Sequence, residues 1–227
     1  MSAQPIGTAF LRIEYPESDG KPLGETDVHR REILDIIAML EQYYADNADV
    51  YISGNLMFYY EEGNPGAVVS PDVFVVKGVP KRERRVYKLW EEGEPPAVVF
   101  EITSRSTRLE DRGMKRQLFA ELGVREYFLF DPLGEYLKPP LQGFRLIDDE
   151  LTAFEPDANG ALISQELGLR LQRDGTYLRL NKLADGEPLL RPAELDRALR
   201  AAEERARTAE EEVERLRAEL ARLRGEQ

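Results

Sequence analysis

The sequence predicts an α/β domain, a mixed central sheet flanked by helices, followed by a long C-terminal coiled-coil helix. Three observations carry that prediction. A stretch with helical periodicity precedes three short runs rich in β-branched and aromatic residues, and a second helical stretch then precedes a further strand. Helix, strands, helix and strand in that order call for a sheet covered by helices. The third observation is the tail, which from Ala193 to Arg224 contains no aromatic, glycine or proline.

Between Thr26 and Ala45, Ile33, Ile36, Ile37, Leu40, Tyr43 and Tyr44 recur on one helical face, with Thr26 or Asp27 placed to cap the first turn. VYISGNLMFYY, PDVFVVKG and PAVVFEIT read as strands. A second helix is expected from about Leu109 to Leu122, closed by Gly123, and REYFLFDP is the next strand. LGLRLQRDGTYLRL reads as a hairpin turning on Asp174 and Gly175. These elements make one domain over residues 1–190.

The turn ADGEP and Pro192 then introduce a coiled-coil helix over residues 193–224. Leu195, Leu199, Ala202, Ala206, Ala209, Val213, Leu216, Leu220 and Leu223 alternate spacings of four and three, which is a heptad seam. Glu203 with Arg207 and Glu211 with Arg215 add pairs along the helix. The seam predicts a homodimer through the C-terminal helix. Its three central alanines keep a single solvated helix, or one folded back on its domain, as the alternative.

Composition narrows the chemistry. The 227 residues include no cysteine and one histidine, so disulfides and thiolate zinc sites are excluded and a metal would be held by oxygen or by His29. Oxygen ligands suit Mg²⁺ or Mn²⁺. The N-terminus has no apolar signal core and no stretch is long and apolar enough to span a bilayer, so a cytoplasmic protein with no membrane partner is expected. The net charge of −12 argues against general affinity for nucleic acid, which a local basic patch alone could supply.

Two acids stand on apolar strands. Asp72 begins one strand, just after Pro71, and Glu101 sits near the end of the next. If those strands pair antiparallel, the two carboxylates converge at one edge of the sheet, where a divalent cation would offset the cost of burying them together. Alternatively, Asp72 caps a strand entry and Glu101 follows the alternation out to solvent. In the next helix Asp111 and Lys115 share a face, either as a surface pair or with the lysine reaching the carboxylates.

The residues Pro71-Asp72, Glu101 to Thr107 (EITSRST), Asp111 to Lys115 (DRGMK), Gly123 to Tyr127 (GVREY) and Phe130 to Pro132 (FDP), in that order, resemble the Uma-two family of the restriction-endonuclease-like PD-(D/E)XK superfamily. The resemblance runs from about Gly20 to Leu180 and excludes the tail. It implies a restriction-endonuclease-like core and a metal-dependent endonuclease that hydrolyses phosphodiester bonds in DNA. Catalytic residues would be Asp72, Glu101 and Lys115, with Asp72, Glu101 and the backbone carbonyl of Ile102 holding Mg²⁺ or Mn²⁺. The superfamily's lysine usually follows the acid by two residues, where this chain has Thr103. Lys115 is then the candidate replacement, arriving from the helix. The alternative is a catalytically inactive nuclease-fold module for binding or scaffolding, oligomerised by its coiled coil.

His29 and Glu32 on the first helix are candidate supporting residues, with a structural histidine as the plainer reading. Ser104, Ser106 and Thr107 either contact substrate phosphate or cap the following helix. Lys77, Lys81, Arg82, Arg84, Arg85 and Lys88, together with Arg105, Arg108, Arg112 and Arg116, form the candidate nucleic-acid rim. Tyr87 and Trp90 either stack on bases or pack inward.

Overall fold

The structure is a computed structural model that describes residues 13–18, 26–104 and 107–225. It divides into two compact units, Met1–Leu189 and Leu190–Gln227.

The first unit opens with helix α1, Asp27–Tyr43, where the Thr26 side chain caps the first turn by accepting from the His29 amide at 3.3 Å. Strands β1 (Val50–Ser53), β2 (Phe58–Tyr59), β3 (Val68–Val69), β4 (Val73–Lys77) and β5 (Tyr87–Lys88) follow, and then a single turn α2 (Leu89–Glu92). Next come β6 (Val98–Ile102), helices α3 (Arg108–Arg112) and α4 (Met114–Glu121), and β7 (Glu126–Phe130). The unit closes with β8 (Leu141–Ile147), β9 (Glu150–Phe154), β10 (Leu162–Ser164), β11 (Leu169–Asp174) and β12 (Tyr177–Lys182).

The main sheet runs β1-β4-β6-β7-β8-β9. β6 and β7 are parallel and joined by the α3–α4 crossover, while the other neighbours are antiparallel, so the sheet is mixed as expected. The triplets β3-β2-β5 and β10-β11-β12 form two smaller sheets.

Both faces of the main sheet are covered, which is why β6 is buried throughout. On one face Ile33, Ile36 and Leu40 of α1 and Leu169, Leu171, Leu178 and Leu180 of the last hairpin pack on Val98, Phe100 and Ile102. On the other, Phe119 of α4 joins Phe74, Val99, Tyr127 and Leu129. Each fully buried side chain of this size contributes about 1.5–3 kcal/mol.

Two expectations are corrected by local geometry, and one hairpin is added to them. VYISGNLMFYY is two strands in different sheets, broken at Gly54, where a side-chain carbon would stand 2.1 Å from the Asp72 carbonyl oxygen. The second helix is two, interrupted at Gly113, whose amide turns back to the Leu109 and Glu110 carbonyls at 3.1 and 3.2 Å. The β8–β9 hairpin has no counterpart in the sequence reading. Its two-residue turn is Asp148-Asp149, with φ of 50° and 64°, a left-handed pair lacking the glycine that usually announces it.

The second unit is one helix, α5 (Pro192–Gly225). Its surface carries short-range ion pairs, Arg200 with Asp196 at 3.0 Å, Arg207 with Glu204 at 2.7 Å and Arg215 with Glu212 at 2.6 Å. The seam is exposed, Leu199 at 57%, Val213 at 45% and Leu220 at 54%. Among the described residues no helix is long and apolar enough to cross a membrane.

Candidate active site

The β4–β6 register decides where the acids meet. Val73 pairs with Phe100 across antiparallel strands, which brings Asp72, just before β4, beside Glu101 near the end of β6. Glu101 is 1% exposed, so the alternative of a solvent-facing carboxylate is overturned. Alternation sends Glu101 to the side of Val99, the face that α4 covers.

From that helix Lys115 reaches down, its Nζ 2.9 Å from Glu101 Oε2 and 3.2 Å from Asp111 Oδ1. Asp111 is itself buried, held by its own helix turn and by the Tyr127 hydroxyl, which donates to the Asp111 carbonyl at 2.9 Å. The bland surface pair between Asp111 and Lys115 is therefore not what forms. Asp72 Oδ2 accepts the Ile102 amide at 2.7 Å, and His29 Nε2 lies 3.4 Å from the same oxygen. In a strand a residue's N–H and C=O point to the same side, so the Ile102 carbonyl is directed toward Asp72 as well.

The electrostatics of this cluster are unbalanced. Burial pushes the Glu101 carboxyl well above the usual carboxylate range; the Lys115 ammonium opposes that rise, and the neighbouring Asp72 and Asp111 add to it. Burial raises Asp111 too, against the pull of Lys115. Burial alone would lower the Lys115 pKa, yet Glu101, Asp111 and Asp72 together hold it above the ordinary lysine value. Glu101 Oε1 and the Thr103 hydroxyl are buried with no hydrogen-bond partner among the described residues. Acceptors left over beside three carboxylates and one ammonium fit a hard divalent cation. The described residues contain no ready cage of three or more acidic or histidine ligands. A bound ion would take two carboxylates, a carbonyl and water, the mixed shell that Mg²⁺ accepts.

The other candidates separate. The Glu32 carboxylate accepts the Leu178 amide at 3.0 Å, bracing α1 against the last hairpin. Ser104 and Thr107 bind each other, the Ser104 amide donating to Thr107 Oγ1 at 3.1 Å, and so close the loop between β6 and α3. Arg105 and Ser106 lie outside the described residues, as does the side chain of Arg108. Tyr87 is fully buried and stacks on Phe58, while Trp90 lies 5.2 Å from the Tyr15 ring.

The basic stretch is paired with the protein's own acids. Arg82 and Arg84 both bind Glu92, at 2.6 and 2.8 Å, and the Arg84 guanidinium lies 4.1 Å from the Tyr51 ring centroid. Lys77 reaches Glu166 at 3.1 Å, Arg85 reaches Glu17 at 2.5 Å and Lys88 reaches Glu91 at 2.9 Å. Lys81 donates to the Tyr44 carbonyl at 2.7 Å. Of the following arginines, Arg116 lies over the Phe144 ring at 5.1 Å. A cavity of about 570 Å³ beside Lys81, Arg82 and Arg84 is also lined by Tyr51, which pairs with Val76 at the far end of β4 from Asp72. That cavity is therefore remote from the carboxylates.

Two of the recognised motifs serve the fold. Glu126 of GVREY accepts from Arg145 at 3.1 Å and from the Gln165 amide at 2.9 Å. Asp131 of FDP accepts the Gly134 and Leu137 amides, both at 2.9 Å, and shapes the loop after β7. Glu126 is as much a lone acid on an apolar strand as Glu101 is; only the partners distinguish them.

Residues 9–193 match the Uma2 family, which is described as "Putative restriction endonuclease". No curated protein matches the chain. A crystal structure described as that of "a putative nuclease belonging to DUF820 from Anabaena variabilis ATCC 29413" is similar at 15% identity with a TM-score of 0.46, over 63% of this chain and 75% of that one.

Proposed function

The chain belongs to the Uma2 family, and from that membership we propose that it is a metal-dependent endonuclease hydrolysing phosphodiester bonds in DNA. The observation that carries the proposal is the Lys115 ammonium set 2.9 Å from Glu101 and 3.2 Å from Asp111, with Asp72 beside Glu101. Such a cluster has excess negative charge, and leaving buried carboxylates uncompensated is costly. Asp72, Glu101 and the Ile102 carbonyl would hold Mg²⁺ or Mn²⁺, which offsets that excess. When bound, the ion polarises a phosphoryl oxygen and makes water a stronger nucleophile near neutral pH.

The chain's own groups do the rest. The Ile102 amide fixes one Asp72 oxygen, and His29 lies against the same oxygen. Lys115 stays protonated among its carboxylates, so it acts as a donor and not as a base. Its ammonium can hold a water or phosphate oxygen next to Glu101 and offset charge growing on the phosphate. Lys115 would thus fill the role that a lysine at position 103 plays elsewhere in the superfamily. The exposed seam of α5 would pair two copies, so that one assembly carries two sites for two strands.

Plasmid DNA incubated with the protein and Mg²⁺ or Mn²⁺ should be nicked, with activity lost in EDTA and in Asp72→Ala. Wild type and variant equally inert on single-stranded DNA, double-stranded DNA and RNA would sink the enzyme. One observation favours a second reading, an inactive binding or scaffolding module: the basic stretch is occupied by Glu92, Glu166 and Glu91. Calorimetry detecting no Mn²⁺ binding, with partner recruitment surviving Glu101→Gln and lost on deletion of residues 193–227, would support that reading.

A further inference from the structure

The seam of α5 has a direction written into its flanks. With Leu199, Ala206, Val213 and Leu220 at one set of core positions and Leu195, Ala202, Ala209, Leu216 and Leu223 at the other, the residues bordering the seam are fixed. Arg205, Glu212 and Glu219 border it on one side, and Glu203, Glu210, Arg217 and Arg224 on the other. In a parallel two-stranded coil each residue of the first group faces the residue five positions later on the second strand.

We propose that α5 pairs with α5 of a second copy in parallel and in register, its charged borders selecting that orientation. The proposal rests on the dimer put forward above and specifies its geometry. In this arrangement Arg205 meets Glu210 of the partner subunit, Glu212 meets Arg217 of the partner subunit, and Glu219 meets Arg224 of the partner subunit. Every such pair is of opposite sign. The C-terminal layers suit the same arrangement, with β-branched Val213 at the position that favours it in parallel dimers and Leu216 in the next layer. Both layers are free to be covered, Val213 being 45% and Leu216 47% exposed. The intrahelical contacts of Glu212 and Arg217, to Arg215 at 2.6 Å and Glu214 at 3.2 Å, are on the exposed surface and easily exchanged for contacts across the seam.

The competing arrangement is antiparallel. It would seat Ala202, Ala206 and Ala209 against Leu220, Leu216 and Val213, which relieves the stacking of small residues in the middle of the rod. It keeps Glu203 against Arg217 and Arg205 against Glu219 but places Glu210 and Glu212 each against its own copy, and those two like-charge contacts, which the parallel pair lacks, oppose it. The parallel coil brings both chains into the rod at the same end.

The absence of cysteine makes the orientation directly measurable. Sedimentation of the full chain should give the mass of two copies, and oxidised Leu220→Cys should link to itself. In an antiparallel pair those two cysteines would be roughly 27 Å apart along the rod, and a mixture of Leu220→Cys with Ala202→Cys would cross-link instead. Arg217→Glu with Arg224→Glu should weaken the dimer at least about tenfold. Adding Glu212→Arg and Glu219→Arg should restore it, because those changes repair only the parallel pairs; an antiparallel pair would then set like charges at Glu203 and Arg205. A monomeric wild type, the mixed cross-link without the self-link, or failure of that rescue overturns the proposal. None of these readouts uses cleavage, so an inert protein that dimerises in parallel would fail as a nuclease and still support this pairing.

Discussion

Lys115 Nζ lies 2.9 Å from Glu101 Oε2, although the two residues are 14 apart and belong to a helix and a strand. Their side chains are 12% and 1% exposed, so the pair is out of water and each partner is needed to compensate the other. Lys115→Met should therefore cost about 3–5 kcal/mol of stability, the range for stranding a buried charge. Lys115→Met combined with Glu101→Gln should cost much less than the sum of the single changes. Urea melts of the four proteins measure this, and additive losses would show that the two side chains are not coupled.

Metal binding should be visible without any cleavage. A ligand that binds only the folded state at a hundred times its Kd adds about 2.7 kcal/mol, which for a chain of this length raises Tm by roughly 5–10 °C. Mn²⁺ should produce such a rise in wild type and little in Asp72→Asn, whose side chain keeps an acceptor for the Ile102 amide while losing its charge. Equal shifts in both proteins would place the ion elsewhere.

Much of this geometry was legible in the chain because it follows from strand direction. Asp72 at one strand's start and Glu101 at the next one's end must approach if the strands are antiparallel, and they are. The four-residue spacing of Asp111 and Lys115 suggests a pair on one helix face, and the pair forms at 3.2 Å although Gly113 sets the two residues in separate helices. What the linear sequence hides is long-range pairing. Lys77 is 89 residues from Glu166, so a count of charges between Lys77 and Lys88 reads as a basic patch when the acids that occupy it come from outside. Asp72's bond to the Ile102 amide is equally invisible, because a backbone donor looks the same at every position. Asp148-Asp149 escapes for a different reason: its left-handed turn is made without glycine.

Glu92 offers a pH test away from the carboxylate cluster. Its hydrogen bonds to Arg84 hold the carboxyl below the usual carboxylate range, despite an opposing contribution from burial. A lowered folded-state pKa means that this contribution is fully present above the ordinary value near 4.5 and is lost as pH falls through the lower folded value. Glu92→Gln should accordingly be less stable than wild type at neutral pH, with the gap closing in acid. Chemical denaturation across that range checks it, and a gap of constant size would remove the ion pair as its cause.

Gly54 links the fold to the site most directly. A side-chain carbon there would stand 2.1 Å from the Asp72 carbonyl oxygen and 2.8 Å from Ile37 Cδ1, and the first of these neighbours is backbone that no rotamer change can clear. Gly54→Ala must push the start of β4 away, and overpacking of this kind costs about 1–3 kcal/mol. Because the moving residue is Asp72, the same variant should weaken Mn²⁺ binding in calorimetry. Gly63 supplies the control, since its φ of 84° strains any larger residue while the space around it is open. Gly63→Ala should lose about 1 kcal/mol and bind Mn²⁺ as wild type does. Matching affinities in both variants would mean that Asp72 keeps its place when the β1–β4 contact is forced apart, and would detach Gly54 from the site.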